Sequence, residues 1–153
     1  MVSRESTTSR NHSGKLAEYC EDMDIEAALE HIRKNGAGTL ATLFPDGRPH
    51  LSVVFASVVD DALWISSRQP LVKAKNIRRD QRVAFSSGIG EWVTVEGTGH
   101  IHDGDDVLER LRTYYRTARG EHPDWNEYDR AMIRDQRLII EIVPARAYGG
   151  ARG

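Results

Sequence analysis

The 153-residue chain is 39% hydrophobic and 29% charged, with a formal net charge of −2, which suits one globular domain able to bury a sizeable core. No apolar run is long enough to span a bilayer, and a sequence pI near 6.3 sets aside a general nucleic-acid surface. The only cysteine, Cys20, excludes an internal disulfide and a cysteine-built zinc site, and a cytoplasmic location is expected.

Residues 1–22 are rich in Ser, Thr and Arg, lack the apolar core of a secretion signal and read as a disordered tail; residues 23–153 read as one domain. From Asp24, the apolar residues Ile25, Ala28, Leu29 and Ile32 recur at helical spacing, with Asp24 as N-cap and Asn35-Gly36 as stop, and predict a short amphipathic lid helix. GTLATLF and HLSVVFASVV follow as two β-branched runs, joined by a Pro45-Asp46-Gly47-Arg48 turn. Asp60-Asp61 turns the chain into ALWISS. RVAFSS and WVTVEGTGHIH are two further strands joined across Gly88-Ile89-Gly90.

Between these strands lies the stretch Ser66–Arg82, whose six cations outweigh Asp80 to give +5 in an acidic chain. It leaves a strand and opens a helix near Pro70, where backbone amides and a helix dipole favour phosphate. Lys73 and Asn76 share one helix face, while Lys75 and Arg79 share another. Arg78 and Arg79 are expected to be solvated, and Arg82 to form a structural ion pair.

From Asp105 the period becomes helical. Val107, Leu108, Leu111, Tyr114, Tyr115 and Ala118 form a stripe, Gly120 and Pro123 break it, and Trp125, Tyr128 and Met132 begin a second helix. RLIIEIVPARAY is the last strand, bent or ended by Pro144. His100 and His102 share a strand face without a third ligand, so no metal site is expected. Trp64, Trp92, Trp125, Tyr114 and Tyr115 are read chiefly as packing residues, and Gly97 with Gly99 as a bulge or close strand approach. The whole is mainly β with helical insertions: an antiparallel barrel of about six strands.

In this order, GTLATLFPDGRPHLSVV, KAKNIRRDQRVAFS, WVTVEGTGHI and RLIIEIVPARAYG resemble the flavin- and deazaflavin-dependent oxidoreductases built on the FMN-binding split β-barrel of pyridoxamine phosphate oxidase. The resemblance runs from Ile25 to Gly149. The KxxN and R-x-D-x-R-V features are most similar to the branch that uses coenzyme F420. It implies a homodimer with the cofactor in a groove at the interface, Lys73 on the phosphate, and Lys75 and Asn76 beside it. Ser66, Ser67 and Arg68 would line the same turn, and Ser52 and Val54 would face the ring; Gln69-Pro70 departs from the glycine-bearing turn expected there. The implied activity is hydride transfer from reduced F420 to a conjugated small molecule such as biliverdin or a quinone, with no catalytic side chain required. The alternatives are an FMN-dependent oxidase of the same fold and a cofactor carrier without turnover.

Overall fold

The computed structural model describes residues 21–150. Its seven strands are β1 (Glu21–Met23), β2 (Ala37–Leu43), β3 (Pro49–Val59), β4 (Ala62–Arg68), β5 (Arg82–Ser87), β6 (Trp92–His102) and β7 (Arg137–Gly150). Four helices interrupt them: α1 (Ile25–Lys34), α2 (Val72–Arg79), α3 (Val107–Arg119) and α4 (Trp125–Arg134). The sheet order β1-β7-β4-β3-β2-β5-β6, with β6 also paired to β7, closes a six-stranded antiparallel barrel. Strand pairing begins at Glu21, opposite Gly149, so Glu21 and Asp22 belong to the sheet and not to the tail expected over residues 1–22. The rest of that stretch, with Cys20, lies outside the described residues.

Turn chemistry sets the registers. Asp60 and Asp61 both adopt positive φ, 46° and 61°, the pair that a two-residue hairpin with correctly twisted strands requires, and Val59 duly faces Ala62. Gly47 at φ 86° closes the β2–β3 turn, where the Phe44 amide donates to the Arg48 carbonyl. Pro144 does not end β7. The strand runs on through a bulge opposite Glu96 and Gly97, which takes up the proline's missing amide.

Inward residues of every strand fill the barrel. Leu40, Leu63, Ile65, Phe85, Val95, Leu138, Ile140 and Ile142 form one buried cluster. Helix α1 leads into the start of β2 and inserts Ala28, Leu29 and Ile32, all fully enclosed. It is a plug of the core, not the lid expected, because three apolar residues per two turns make an inward face that a mobile flap would expose. Helix α2 stops the barrel at the opposite end of β2 with Ala74 and Ile77. Helices α3 and α4 cover the outer face of β4 and β7 over a second core of Ala62, Trp64, Leu111, Tyr128 and Ile139. No helix among the described residues is long and apolar enough to cross a membrane.

The seam between β6 and β7 depends on Gly97, where an added Cβ would stand 2.1 Å from the Val143 carbonyl oxygen. Gly97→Ala is therefore expected to destabilise by about 1–3 kcal/mol in urea denaturation. Gly104→Ala, whose Cβ would meet nothing nearer than Asp106 Oδ1 at 4.0 Å, is expected to change stability little.

Candidate functional site

Strands β3 and β4 pair only from Ala56–Ile65 to Val59–Ala62. Beyond that point they part: the first half of β3 bonds β2 alone, and Ser66–Arg68 bond β7 alone. The Tyr114 hydroxyl of α3 stands at the parting and donates to the Phe55 carbonyl at 3.0 Å. Burial pushes the Tyr114 phenol up, against a Ser66 backbone hydrogen bond and the Arg119 and Arg137 guanidiniums, which pull it down. Outside the parting lies a cleft of about 780 Å³, walled by Phe55 and Ser66 of the barrel, by Tyr114, Tyr115 and Arg119 of α3, by Tyr128 and Met132 of α4, and by Arg137.

Cations gather at the barrel end of this cleft without carboxylate partners. Arg68 lies directly across the ladder from Arg137, so two like charges face one another, an arrangement that destabilises a sheet unless an anion joins them. Arg137 Nε is enclosed and finds no acceptor among the described residues. Burial lowers the Lys73 pKa, and the Arg137 guanidinium lowers it further. No ion pair forms to Arg68, Lys73 or Arg137 among the described residues, whereas Arg78 binds Asp103 at 2.7 Å and Arg82 binds Asp80 at 2.7 Å. Helix α2 also starts at Leu71 without a capping side chain, so its first amides are served by no side-chain acceptor. Three cations without carboxylate partners among the described residues, near a helix start without a capping side chain, suit a compact anion.

The predicted site residues divide between this cleft and the barrel interior. Ser66 lines the cleft, Arg68 lies beside it on the same face, and Lys73 is within electrostatic reach of Arg137. Lys75 is exposed. Ser67 instead points inward with Ile65, only 1% exposed. Ser52 and Val54 also face inward: Ser52 pairs with the buried Leu40, and Val54 packs on the barrel core. Strand parity gives the outer face of β3 to Leu51, Val53 and Phe55, which are 63%, 86% and 46% exposed. Asn76 is 2% exposed; its amide donates to Thr42 Oγ1 at 3.0 Å and accepts from Arg79 at 3.2 Å. Its hydrogen bonds tie α2 to β2, so the amide expected to meet phosphate is already engaged within the fold.

The surrounding charges are more engaged than expected. Arg78 joins Gln69 and Asp103, both at 2.7 Å, and Arg79 donates to the Leu43 carbonyl. The Arg82–Asp80 pair forms and holds the Asp80 carboxyl down at about 2, but Arg82 is 80% exposed, so the pair is a surface contact. His100 approaches Gln81, and His102 approaches Glu141 at 3.2 Å; no metal-holding group occurs among the described residues. Trp64 packs and donates to Glu141. Sequence reasoning missed Arg137 and Arg119 as cleft residues and read Tyr114 chiefly as packing. Only Arg137 left a signal, as a cation opening an otherwise apolar strand.

A closed six-stranded antiparallel barrel with two helices laid over the outer face of β4 and β7 is the architecture of a split β-barrel protein. The chain belongs to the pyridoxamine 5′-phosphate oxidase family, whose model matches residues 25–149. The conserved hypothetical protein Rv2991 from Mycobacterium tuberculosis is 27% identical and superposes with a TM-score of 0.71, over 84% of this chain and 85% of that one. An F420 reductase is 20% identical, with a TM-score of 0.57 over 77% and 94% of the two chains. A heme-binding protein from Mycobacterium smegmatis is 18% identical, with a TM-score of 0.63 over 82% and 55%. The likeness to the last two is one of fold.

Asn76→Ala is expected to lower stability by about 1–3 kcal/mol, because Thr42 and Arg79 lose a buried partner, while leaving the affinity for a phosphate ligand within about twofold. Urea denaturation and phosphate titration read the two effects separately; lost affinity at unchanged stability would return Asn76 to the site.

Proposed function

We propose that this protein is an oxidoreductase that holds a phosphorylated flavin-type cofactor with its phosphate on Arg68, Lys73 and Arg137, and that coenzyme F420 is that cofactor. The observation that carries this reading is the set of unpaired cations converging beside the cleft, above all Arg137 with its enclosed Nε and Arg68 across the ladder. Their donor set fits a phosphate: two guanidiniums able to bind oxygens bidentately and one ammonium as a point charge. Exposed Lys75 on α2 extends the positive track outward, as the carboxylate tail of F420 would require. FMN presents the same compact phosphate and is the alternative.

When bound, such a cofactor supplies hydride transfer, here to a conjugated small molecule. The chain's own part is placement. Arg68, Lys73 and Arg137 anchor the phosphate, Phe55 and Ser66 border the place where a ring would lie, and Tyr114 spans the strand parting. Desolvation inside the cleft strengthens each of these contacts.

Titration with F420 and with FMN, followed by fluorescence, tests the reading. Lys73→Ala and Arg137→Ala are each expected to weaken binding by tenfold or more, the loss of a charged hydrogen bond. Tight FMN binding without F420 binding would replace the first cofactor with the second, and unchanged affinity in both variants would remove the site. The pH dependence has a defined sign. Because the Lys73 pKa lies below its ordinary 10.5, the folded chain holds fewer protons than the unfolded chain between the two values. This group's contribution to stability therefore rises with pH through that window. A bound phosphate pulls the proton back, so affinity is expected to fall as pH rises through the lowered value, and Lys73→Arg to flatten that fall.

A second copy of the chain is part of the proposal. Leu51, Val53 and Phe55 form an exposed apolar row on β3, and Phe55 also walls the cleft, so a partner covering the row would border the site. Val53→Asp is expected to shift sedimentation from dimer to monomer and to weaken cofactor binding. A dimer unaffected by the change would place the interface elsewhere.

A further inference from the structure

The far end of the cleft, between α3 and α4, is built differently from the phosphate end. Tyr115, His122, Trp125 and Tyr128 pack edge-on or tilted against one another, with centroids 5.0 Å apart for Tyr115 and His122 and 5.2 Å for Tyr115 and Tyr128, and all but Trp125 line the cleft. Three of the four arginines of α3 are neutralised: Arg110 by Asp106, Arg112 by Asp129 and Arg116 by Glu121. Arg119, which lines the cleft, has no carboxylate partner among the described residues. Arg119 is exposed to solvent at the cleft beside the ring wall, a guanidinium with no carboxylate there to displace and open to a planar anion.

His122 adds a directed donor. Its Nδ1 accepts the Asp124 amide at 2.9 Å, which fixes the proton of the neutral ring on Nε2. The ring itself lines the cleft. Glu127 is the carboxylate among the lining residues, set against Arg119 and Arg137, so cations outnumber it.

We propose that this end of the cleft is a subsite for a flat, conjugated molecule bearing a carboxylate. The conjugated body lies against the ring wall, and the carboxylate pairs with Arg119 and accepts from His122 Nε2. That the occupant is the hydride acceptor rests on the cofactor reading above; that it binds does not.

Naphthoate, neutral naphthamide and cationic naphthylmethylammonium, titrated calorimetrically into the full chain, separate charge from shape. Naphthoate is expected to bind about tenfold more tightly than naphthamide, with the cation weakest, since a charged hydrogen bond outweighs a neutral one. Arg119→Gln, at an exposed position where folding is not at risk, is expected to bring naphthoate down to the naphthamide level while leaving naphthamide unchanged. Equal binding of the three probes would overturn the proposal. So would a naphthoate preference that survives Arg119→Gln but disappears in Arg137→Gln, which would put the anion at the phosphate end. Repeating the titration in Lys73→Ala keeps the two readings apart. Naphthoate binding there is expected to match the parent chain, even though F420 and FMN binding is weakened tenfold or more; weakening of both would overturn an independent subsite.

Discussion

Closure of the barrel by β7 is the constraint on which the remaining structure depends. This strand pairs with β6 along its length and on its other edge with β4 and then β1, so every inward face in the barrel is aligned through it. A right-twisted strand of 14 residues cannot keep one register around such a curve without relief. The bulge at Gly97 and Pro144 provides that relief where β6 and β7 come closest. The same strand begins with Arg137, so the element that closes the core also delivers a cation to the cleft and sets it against Arg68.

That juxtaposition runs against ordinary sheet design. Like charges across a ladder, an enclosed guanidinium nitrogen without an acceptor, and a lysine whose charge is opposed by both burial and Arg137 each lower stability. Elsewhere the chain resolves its charges carefully, as in the Arg112–Asp129 and Arg146–Asp22 pairs. Three such costs converging on Arg68, Lys73 and Arg137 are what the proposed anion would offset.

The fold was largely legible because its signals are local. Period-two runs, the paired aspartates at the β3–β4 turn and the glycine-flanked turns each name their own geometry, and β5 and β6 fall on the expected residues Arg82–Ser87 and Trp92–His102. The site was less legible because it depends on parity and distance. A shift of one residue along a strand exchanges inside for outside, which moves Ser52 and Val54 into the core and brings Leu51, Val53 and Phe55 out. Asn76 looked like a donor because it shares a helix face with Lys73; that face in fact divides, with the Asn76 amide buried against Thr42 and Lys73 half-buried. No sequence pattern joins Arg68 to a residue 69 positions later. Only the β4–β7 register does so.

The two covers of the cleft therefore have separate tasks. The barrel side is rigid: its cations are carried by β4, β7 and the short α2, and Arg79 and Asn76 tie that helix to β2. The helical side is an addition over β4 and β7 with its own core, joined to the parting of β3 and β4 by the Tyr114 hydroxyl. Changes in α3 and α4 can reshape the ring wall around Tyr115 and His122 without touching the barrel's registers, so the shape of the cleft can vary while the placement of Arg68 and Arg137 stays fixed. Tyr114 is where the halves meet. Its hydroxyl continues the β3–β4 connection where the ladder stops, and so joins the helical wall to the opening between the two strands.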